Sequence, residues 1–234
     1  MTSERVLLNM DLGELSGEAE ELYELADIAN VACGGHAGDE ASMRRAVGLC
    51  RDHRTMLGAH PSYPDREGFG RRASRMSASA LRQSVAEQCA LLAAVARALG
   101  QSVAFVKPHG ALYHAAGVDI ATAGALLQGA LESLGPSITM VGPPDGALAE
   151  TAARHEVGYA REGFADRAMR ADGSLVPRGG EGALLVDPAA AAERARELAS
   201  SGSIETICVH GDTPGAEKIA LAVRRVLDAI RATA

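Results

Sequence analysis

Residues Thr55 to Arg72 read TMLGAHPSYPDREGFGRR, and the rest of the chain is best read outward from them. The opening run, Thr55 to Ala59, is short and apolar and predicts a buried strand. His60 stands where that strand ends. The chain then becomes a loop holding Pro61, Pro64, Asp65, Gly68, Gly70 and three arginines. The prolines fix backbone angles and remove two donors, so the loop is stiff. Gly68 and Gly70 allow positive-φ turns around Phe69. A stiff loop that carries an imidazole, a carboxylate and a guanidinium pair beyond a buried strand suits the task of holding polar groups over a pocket. The competing reading is a surface loop in which Asp65 is a cap.

The same unit recurs along the chain. Apolar strands are predicted at Val6 to Leu12, Ile28 to Gly34, Thr55 to Ala59, Ser102 to Val106, Ser137 to Val141, Val157 to Arg161 and Thr206 to Val209. Helices are predicted between them: a short acidic one over Glu18 to Asp27, one capped by Asp39 and running to His53, and one capped by Ser77 that ends at Gly100. Further helices fall over Val118 to Ser133, Asp145 to His155, Asp187 to Ser201 and Ala216 to Arg231. Strand then helix, repeated with continuous apolar strands, implies a parallel sheet covered by helices. Asp11, His36, His60, Lys107 with His109, Glu162, and His210 with Asp212 stand at or just after the ends of six of the seven strands. An open sheet gathers such ends only near its switch point, whereas a barrel gathers them all at one mouth. The expectation is therefore a single seven-stranded (β/α) barrel over residues 1–234, with an excursion at 168–186 as a lid or docking surface.

Composition narrows the partners. The chain has 234 residues, a net charge of −7 and 3% aromatics with no Trp, which argues against nucleic acid or an anionic membrane. The N-terminal MTSERVLLNMDLGE lacks a signal-peptide pattern, and no apolar run is long enough to span a membrane. Four scattered cysteines without a CxxC pair suggest reduced thiols in a cytoplasm. Neither GxGxxG after the first strand nor GxxxxGK[ST] occurs.

Several residues carry chemistry in this pattern. Lys107-Pro-His109 places an ammonium and an imidazole two residues apart, able to stabilise an oxyanion or hold a phosphate. Asp11 suits a general base or a metal ligand, and Glu14 flanks the same turn, with simple capping as the rival reading. His36 with Asp39, and His210 with Asp212, each set a carboxylate shortly after an imidazole. Arg71 and Arg72 can grip a carboxylate or phosphate, although adjacent arginines are often just solvated. If a metal binds, Asp11, His36 and His60 are the expected ligands, but HExxH, HxH and clustered Cys/His are absent, so the spacing does not itself predict a bound metal. Cys33 and Cys208 read as buried small apolar groups.

Taken together, NMDLGE, ANVACGGHAGD, GAHPSYPDREGFGRR, VKPHGALY, REGFADR and VHGDTPGA, in that order from Asn9 to Gly215, resemble the LamB/YcsF family. The resemblance implies a seven-stranded barrel of the glycoside hydrolase/deacetylase type. It implies ATP-dependent opening of 5-oxo-L-proline to L-glutamate, with ADP and phosphate formed, ATP and Mg2+ as co-substrate, and 5-oxoprolinase subunits B and C as partners. On this reading Asp11, His60, Lys107, His109, Glu162 and His210 are catalytic. Glu14, His36, Asp39, Asp65, Arg71, Arg72, Asp166, Arg167 and Asp212 bind substrate or nucleotide. Met10, Gly35, His114 and Met169 depart from the family's usual Cys, Phe, Asn and Tyr. Two other readings remain open: a metal-dependent deacetylase or amidase acting without ATP, and a non-enzymatic barrel that binds a small acid or regulates partners.

Overall fold

Strand polarity explains the architecture seen in the computed structural model, which describes residues 6–170, 175–176 and 178–233. Seven strands run parallel: β1 (Leu7–Leu12), β2 (Ile28–Ala32), β3 (Met56–His60), β4 (Val103–Val106), β5 (Thr139–Gly142), β6 (Gly158–Phe164) and β7 (Thr206–His210). They are hydrogen-bonded in sequence order, and β7 returns to β1, closing a barrel. The helices are α1 (Glu21–Leu25), α2 (Glu40–His53), α3 (Ala78–Ala98), α4 (Gly110–Val118), α5 (Ile120–Leu134), α6 (Ala147–Arg154), α7 (Pro188–Ser200) and α8 (Ala216–Thr233).

Side chains alternate across each strand. On β1, Leu8, Met10 and Leu12 join the apolar layer beneath the helices, with Val47, Leu92, Leu126 and Val223 among their neighbours in that layer. Asn9 and Asp11 take the opposite face and point into the barrel. Each buried Leu or Val of the outer layer contributes about 1.5–3 kcal/mol, so the helix layer supplies most of the stability. Met10 lies on that outer side, away from the polar interior. Asp39 caps α2 by accepting from Ser42 N at 2.8 Å, while Ser42 Oγ accepts from Asp39 N at 2.8 Å. Ser77, Asp119 and Asp187 cap α3, α5 and α7.

Four expectations need correction. The acidic helix is shorter than Glu18 to Asp27, because the Glu18 carboxylate instead folds back on the backbone of Gly13, Glu14 and Leu15. The helix expected over Val118 to Ser133 is α5, which starts at Ile120 after its Asp119 cap, and a helix that was not expected, α4, precedes it. β6 does not stop at Arg161 but continues to Phe164, so Glu162 lies within a strand, where the polar barrel interior accommodates it. In the loop after β3, Phe69 (φ 53°) and Gly70 (φ 65°) take the left-handed conformation, and Gly68 does not. Within the expected excursion, Arg167 bridges Leu184 and Met169 bridges Leu175, both antiparallel. Positions 171–174 and 177 of that excursion, and residues 1–5 used in the leader reading, lie outside the described residues. Among the described residues no helix is long and apolar enough to cross a membrane.

Candidate active site

The inward positions of β1, β2, β4, β6 and β7 build a buried charge cluster. Lys107 follows β4 directly, and its Nζ lies 2.9 Å from Asp11 Oδ1 and 2.8 Å from Glu162 Oε1. It also donates to Asn9 Oδ1 at 3.2 Å and to Cys208 Sγ at 3.0 Å. Asn9 donates to Glu162 Oε1 and to Thr206 Oγ1, and Asn30 donates to both Asn9 Oδ1 and Asp11 Oδ1. Asn30 fits because its neighbour on β3 is Gly58, where a Cβ would stand 2.6 Å from Asn30 Oδ1. Burying two carboxylates and an ammonium costs several kcal/mol per ion, and close pairing with these hydrogen bonds offsets that, while Glu162 Oε2 and Asn30 Oδ1 have no partner among the described residues. Burial alone would raise the Asp11 carboxyl, but His60 and Lys107 outweigh it and hold it well below the usual carboxylate range. Burial opposes the charge on Lys107, yet Asp11, Cys208 and Glu162 push its pKa well up. Burial likewise drives the Cys208 thiol up, so it is a hydrogen-bonding group here rather than a nucleophile.

Beside this cluster stands a group of imidazoles around Glu14. His36 Nε2 lies 2.9 Å from Glu14 Oε1, His109 Nδ1 3.2 Å and His60 Nε2 3.7 Å. His60 Nε2 is also 3.4 Å from Asp11 Oδ2. Two loops aim these rings. His109 N donates to Pro61 O at 2.8 Å, and Ala111 N donates to Gly70 O at 2.9 Å. Gly110 is needed at that junction: its φ is +57°, and a Cβ would lie 2.6 Å from Gly70 O. The Glu18 carboxylate ties down the turn carrying Glu14. It accepts from Gly13 N at 2.7 Å, Glu14 N at 2.9 Å and Leu15 N at 3.2 Å. Burial would raise Glu14, but the His109 and His36 imidazoles beside it take it far below its ordinary value. Burial pulls His36 down to about 4 and lowers His109, whereas His60 rises because Asp11 overcomes its burial.

A cavity of about 650 Å³ opens over these groups and is lined by Asp11, His60, Lys107, His109, Phe164, Arg167, Arg178 and His210, with Arg71, Tyr113 and His114. His210 Nδ1 is 2.9 and 3.1 Å from the two oxygens of buried Asp166, and Thr213 Oγ1 donates to Asp166 Oδ2 at 2.6 Å. Burial raises Asp166, but His210 and Thr213 bring it below its ordinary value, so it is ionised and holds Nδ1–H. His210 Nε2 is then the lone-pair nitrogen, 3.8 Å from Asp11 Oδ2. Arg167 is 6% exposed and donates to Val176 O at 2.7 Å, and its buried Nε has no partner among the described residues. Asp212 pairs with Arg71 at 2.6 Å and with Arg178.

Of the residues expected from sequence, Asp11, His60, Lys107, His109, Arg71, Arg167 and His210 line the cavity. Glu162, Glu14, His36, Asp166 and Asp212 stand behind it as direct partners of those groups. Three lie elsewhere. Asp39 is the exposed cap of α2. Asp65 accepts from Gly68 N at 2.9 Å and shapes its own loop. Arg72 is 65% exposed, 3.6 Å from Asp65. The expected metal set also changes: the ligand atoms that converge belong to Glu14, His36, His60 and His109, and separately to Asp11, Cys208 and His210. Sequence reading passed over Asn30 and Glu18, and read Cys208 as merely apolar. Asn30 had a signal, an amide in the middle of the apolar run IANVA.

A model described as the LamB/YcsF family matches residues 6–234. A protein from Symbiobacterium thermophilum, named as the A subunit of 5-oxoprolinase, is 40% identical, covering 96% of this chain and 92% of that one. The protein of the same name from Streptomyces avermitilis is 41% identical, with 95% of each chain covered. The crystal structure of a lactam utilization protein from Thermus thermophilus superposes with a TM-score of 0.88 at 34% identity, covering 97% of both chains.

Proposed function

The chain belongs to the LamB/YcsF family, and from that premise we propose that it is the ring-opening subunit of an ATP-dependent 5-oxoprolinase. It would work in the cytoplasm with subunits B and C, taking 5-oxo-L-proline to L-glutamate while ATP, with Mg2+, becomes ADP and phosphate. The observation that carries this reading is buried Arg167, its Nε without a partner among the described residues, in the wall of the cavity that Asp11, Lys107 and His210 also line. A guanidinium with a donor left open among the described residues suits an anion, and the opposite groups suit acyl chemistry. A lactam bearing one carboxylate supplies both halves, and a volume of about 650 Å³ admits it.

A five-membered lactam is a resonance-stabilised amide, so opening it needs activation. Transfer of the ATP γ-phosphoryl group to the lactam oxygen gives an imidate phosphate. Water adds to that carbon, the C–N bond breaks with nitrogen taking a proton, and an acyl phosphate remains. A second water releases phosphate and leaves the glutamate carboxylate. His210, oriented by Asp166, takes the proton from water at Nε2, and Asp11 stabilises the imidazolium formed. Asp11 is the poorer base, since Lys107 and Asn30 already occupy its Oδ1. Lys107 is committed to Asp11 and Glu162 and contributes fixed positive charge at the cavity wall.

The test is glutamate release from 5-oxoproline by this chain alone and with subunits B and C, each with and without ATP. Release that requires ATP and all three chains supports the reading. Release without ATP would assign an independent amidase instead, and no release in any combination would remove the 5-oxoprolinase reading.

A further inference from the structure

We propose that Glu14, His60 and His109 bind one divalent transition-metal ion of the zinc class, with His36 as the residue that positions the glutamate. The proposal stands on the ring nitrogens and does not depend on the lactam reading.

His60 Nδ1 lies 2.7 Å from Lys107 O, and His109 Nε2 lies 2.9 Å from Phe69 O. A carbonyl oxygen only accepts, so each of these nitrogens carries the hydrogen, and the lone pairs fall on His60 Nε2 and His109 Nδ1. Those two nitrogens face each other at 3.0 Å with no hydrogen between them in the neutral rings. Either an extra proton or a cation must occupy that contact. Both backbone carbonyls are the outer partners that metal-binding histidines use to fix tautomer and ring direction. One of them belongs to Phe69, held at φ 53°.

Glu14 Oε1 completes a triangle with them, 3.2 Å from His109 Nδ1 and 3.7 Å from His60 Nε2. A triangle with these sides has a circumradius of about 1.9 Å, just under the 2.0–2.2 Å reach of zinc to nitrogen and oxygen ligands. An ion about 2.05 Å from all three would sit about 0.7 Å off their plane, as a tetrahedral centre does above three of its ligands. The spacing of the three ligand atoms already suits such an ion.

His36 is different. Its Nε2 is near Glu14, but its buried Nδ1 has no partner among the described residues. As a ligand it would leave an N–H stranded in the interior. As a donor to Glu14 through Nε2 it leaves only an acceptor unpaired, which is the cheaper state. Its ring also stacks on that of His109 with centroids 3.7 Å apart and planes 2° from parallel. An ion cannot lie in both ring planes. Three protein ligands with a fourth position open, two of them lining the cavity, is the arrangement of a zinc site that admits a ligand.

The test uses the full chain, stripped with a chelator and titrated with Zn2+ alone and Co2+ alone, read by calorimetry and by the visible spectrum of the cobalt form. One ion per chain is expected. Glu14→Gln and His109→Gln should each weaken binding more than about 100-fold, while His36→Gln should weaken it about 10-fold to 100-fold and keep the stoichiometry. Should His109→Gln fail to fold, the near-isosteric Glu14→Gln carries the comparison. Folded wild-type protein that binds neither ion overturns the proposal and leaves a shared proton between the imidazoles. Undiminished binding in Glu14→Gln overturns it as well, and binding lost in His210→Asn alone would place the ion at Asp11, Cys208 and His210.

Discussion

Replacing Lys107 by methionine keeps the aliphatic stem and removes one buried charge. Its ammonium is 2.9 Å from Asp11 Oδ1 and 2.8 Å from Glu162 Oε1, and all three side chains are 3% exposed or less. Removing one partner of a buried pair strands the other in a medium that solvates it poorly, at a cost of about 3–5 kcal/mol. Here two carboxylates are stranded together. For a chain of this size each kcal/mol lowers the melting temperature by about 2–4 °C, so the variant should melt roughly 6–20 °C below the wild type. Melting followed by circular dichroism, with urea unfolding at 25 °C, measures the loss. Adding Glu162→Gln to Lys107→Met should recover part of it, with a coupling of about 0.5–3 kcal/mol. A loss below about 1 kcal/mol, or strictly additive effects, would refute the view that Lys107 compensates these carboxylates.

Three further outcomes follow from the same structure. Asp27 accepts from Leu8 N, Arg224 and Arg231; burial would raise its carboxyl, but these partners set it below its ordinary value. Its contribution is therefore complete above the unfolded pKa of about 3.9 and is lost as pH falls through the lower folded value, so the urea-midpoint gap between wild type and Asp27→Asn should narrow on acidification from about pH 5; a gap independent of pH would contradict this. Glu18→Gln exchanges charge-assisted hydrogen bonds for neutral ones and should cost about 1.5–3 kcal/mol in urea unfolding, whereas an unchanged midpoint would show that the Glu14 turn holds without it. Gly110→Ala forces a Cβ to 2.6 Å from Gly70 O at φ +57° and should cost about 1–3 kcal/mol by the same assay, with neutrality counting against the close loop contact.

Features written in local patterns were the legible ones. The seven apolar strands, the Asp39 cap of α2 and the Ser77 cap of α3 depend on neighbours a few residues apart; both caps stand where the sequence puts them, and the strands do so to within a few residues at their ends. The barrel was legible because polar residues recur at strand ends. What failed depended on partners distant in the chain. Glu162 read as the end of a strand because a charge rarely continues one, yet Lys107 and Asn9 are waiting for it inside the barrel. Cys208 read as a small apolar group because the ammonium that reaches it comes from Lys107, about a hundred residues away just after β4. α4 was missed because Gly110 follows Pro108 and His109 directly, a sequence that reads as loop. Asp65 and Arg72 share the polar loop with groups that reach the cavity, and density of charge did not separate the residue that shapes a turn from the one that faces a ligand.

If a lactam acid occupies the cavity with its carboxylate on Arg167, that residue should matter for one part of the molecule alone. The most direct measurement is kcat and KM for 5-oxoproline in the reconstituted three-chain assembly, wild type against Arg167→Met and His210→Asn, with 2-pyrrolidinone, which lacks the carboxylate, as substrate or competing ligand. Arg167→Met should lose about 10-fold to 100-fold on 5-oxoproline through KM while leaving 2-pyrrolidinone affinity unchanged, as removal of a charge-assisted hydrogen bond does. His210→Asn should instead lower kcat. Equal losses on both lactams for Arg167→Met, or full turnover in His210→Asn, would contradict the placement of ring opening in this cavity.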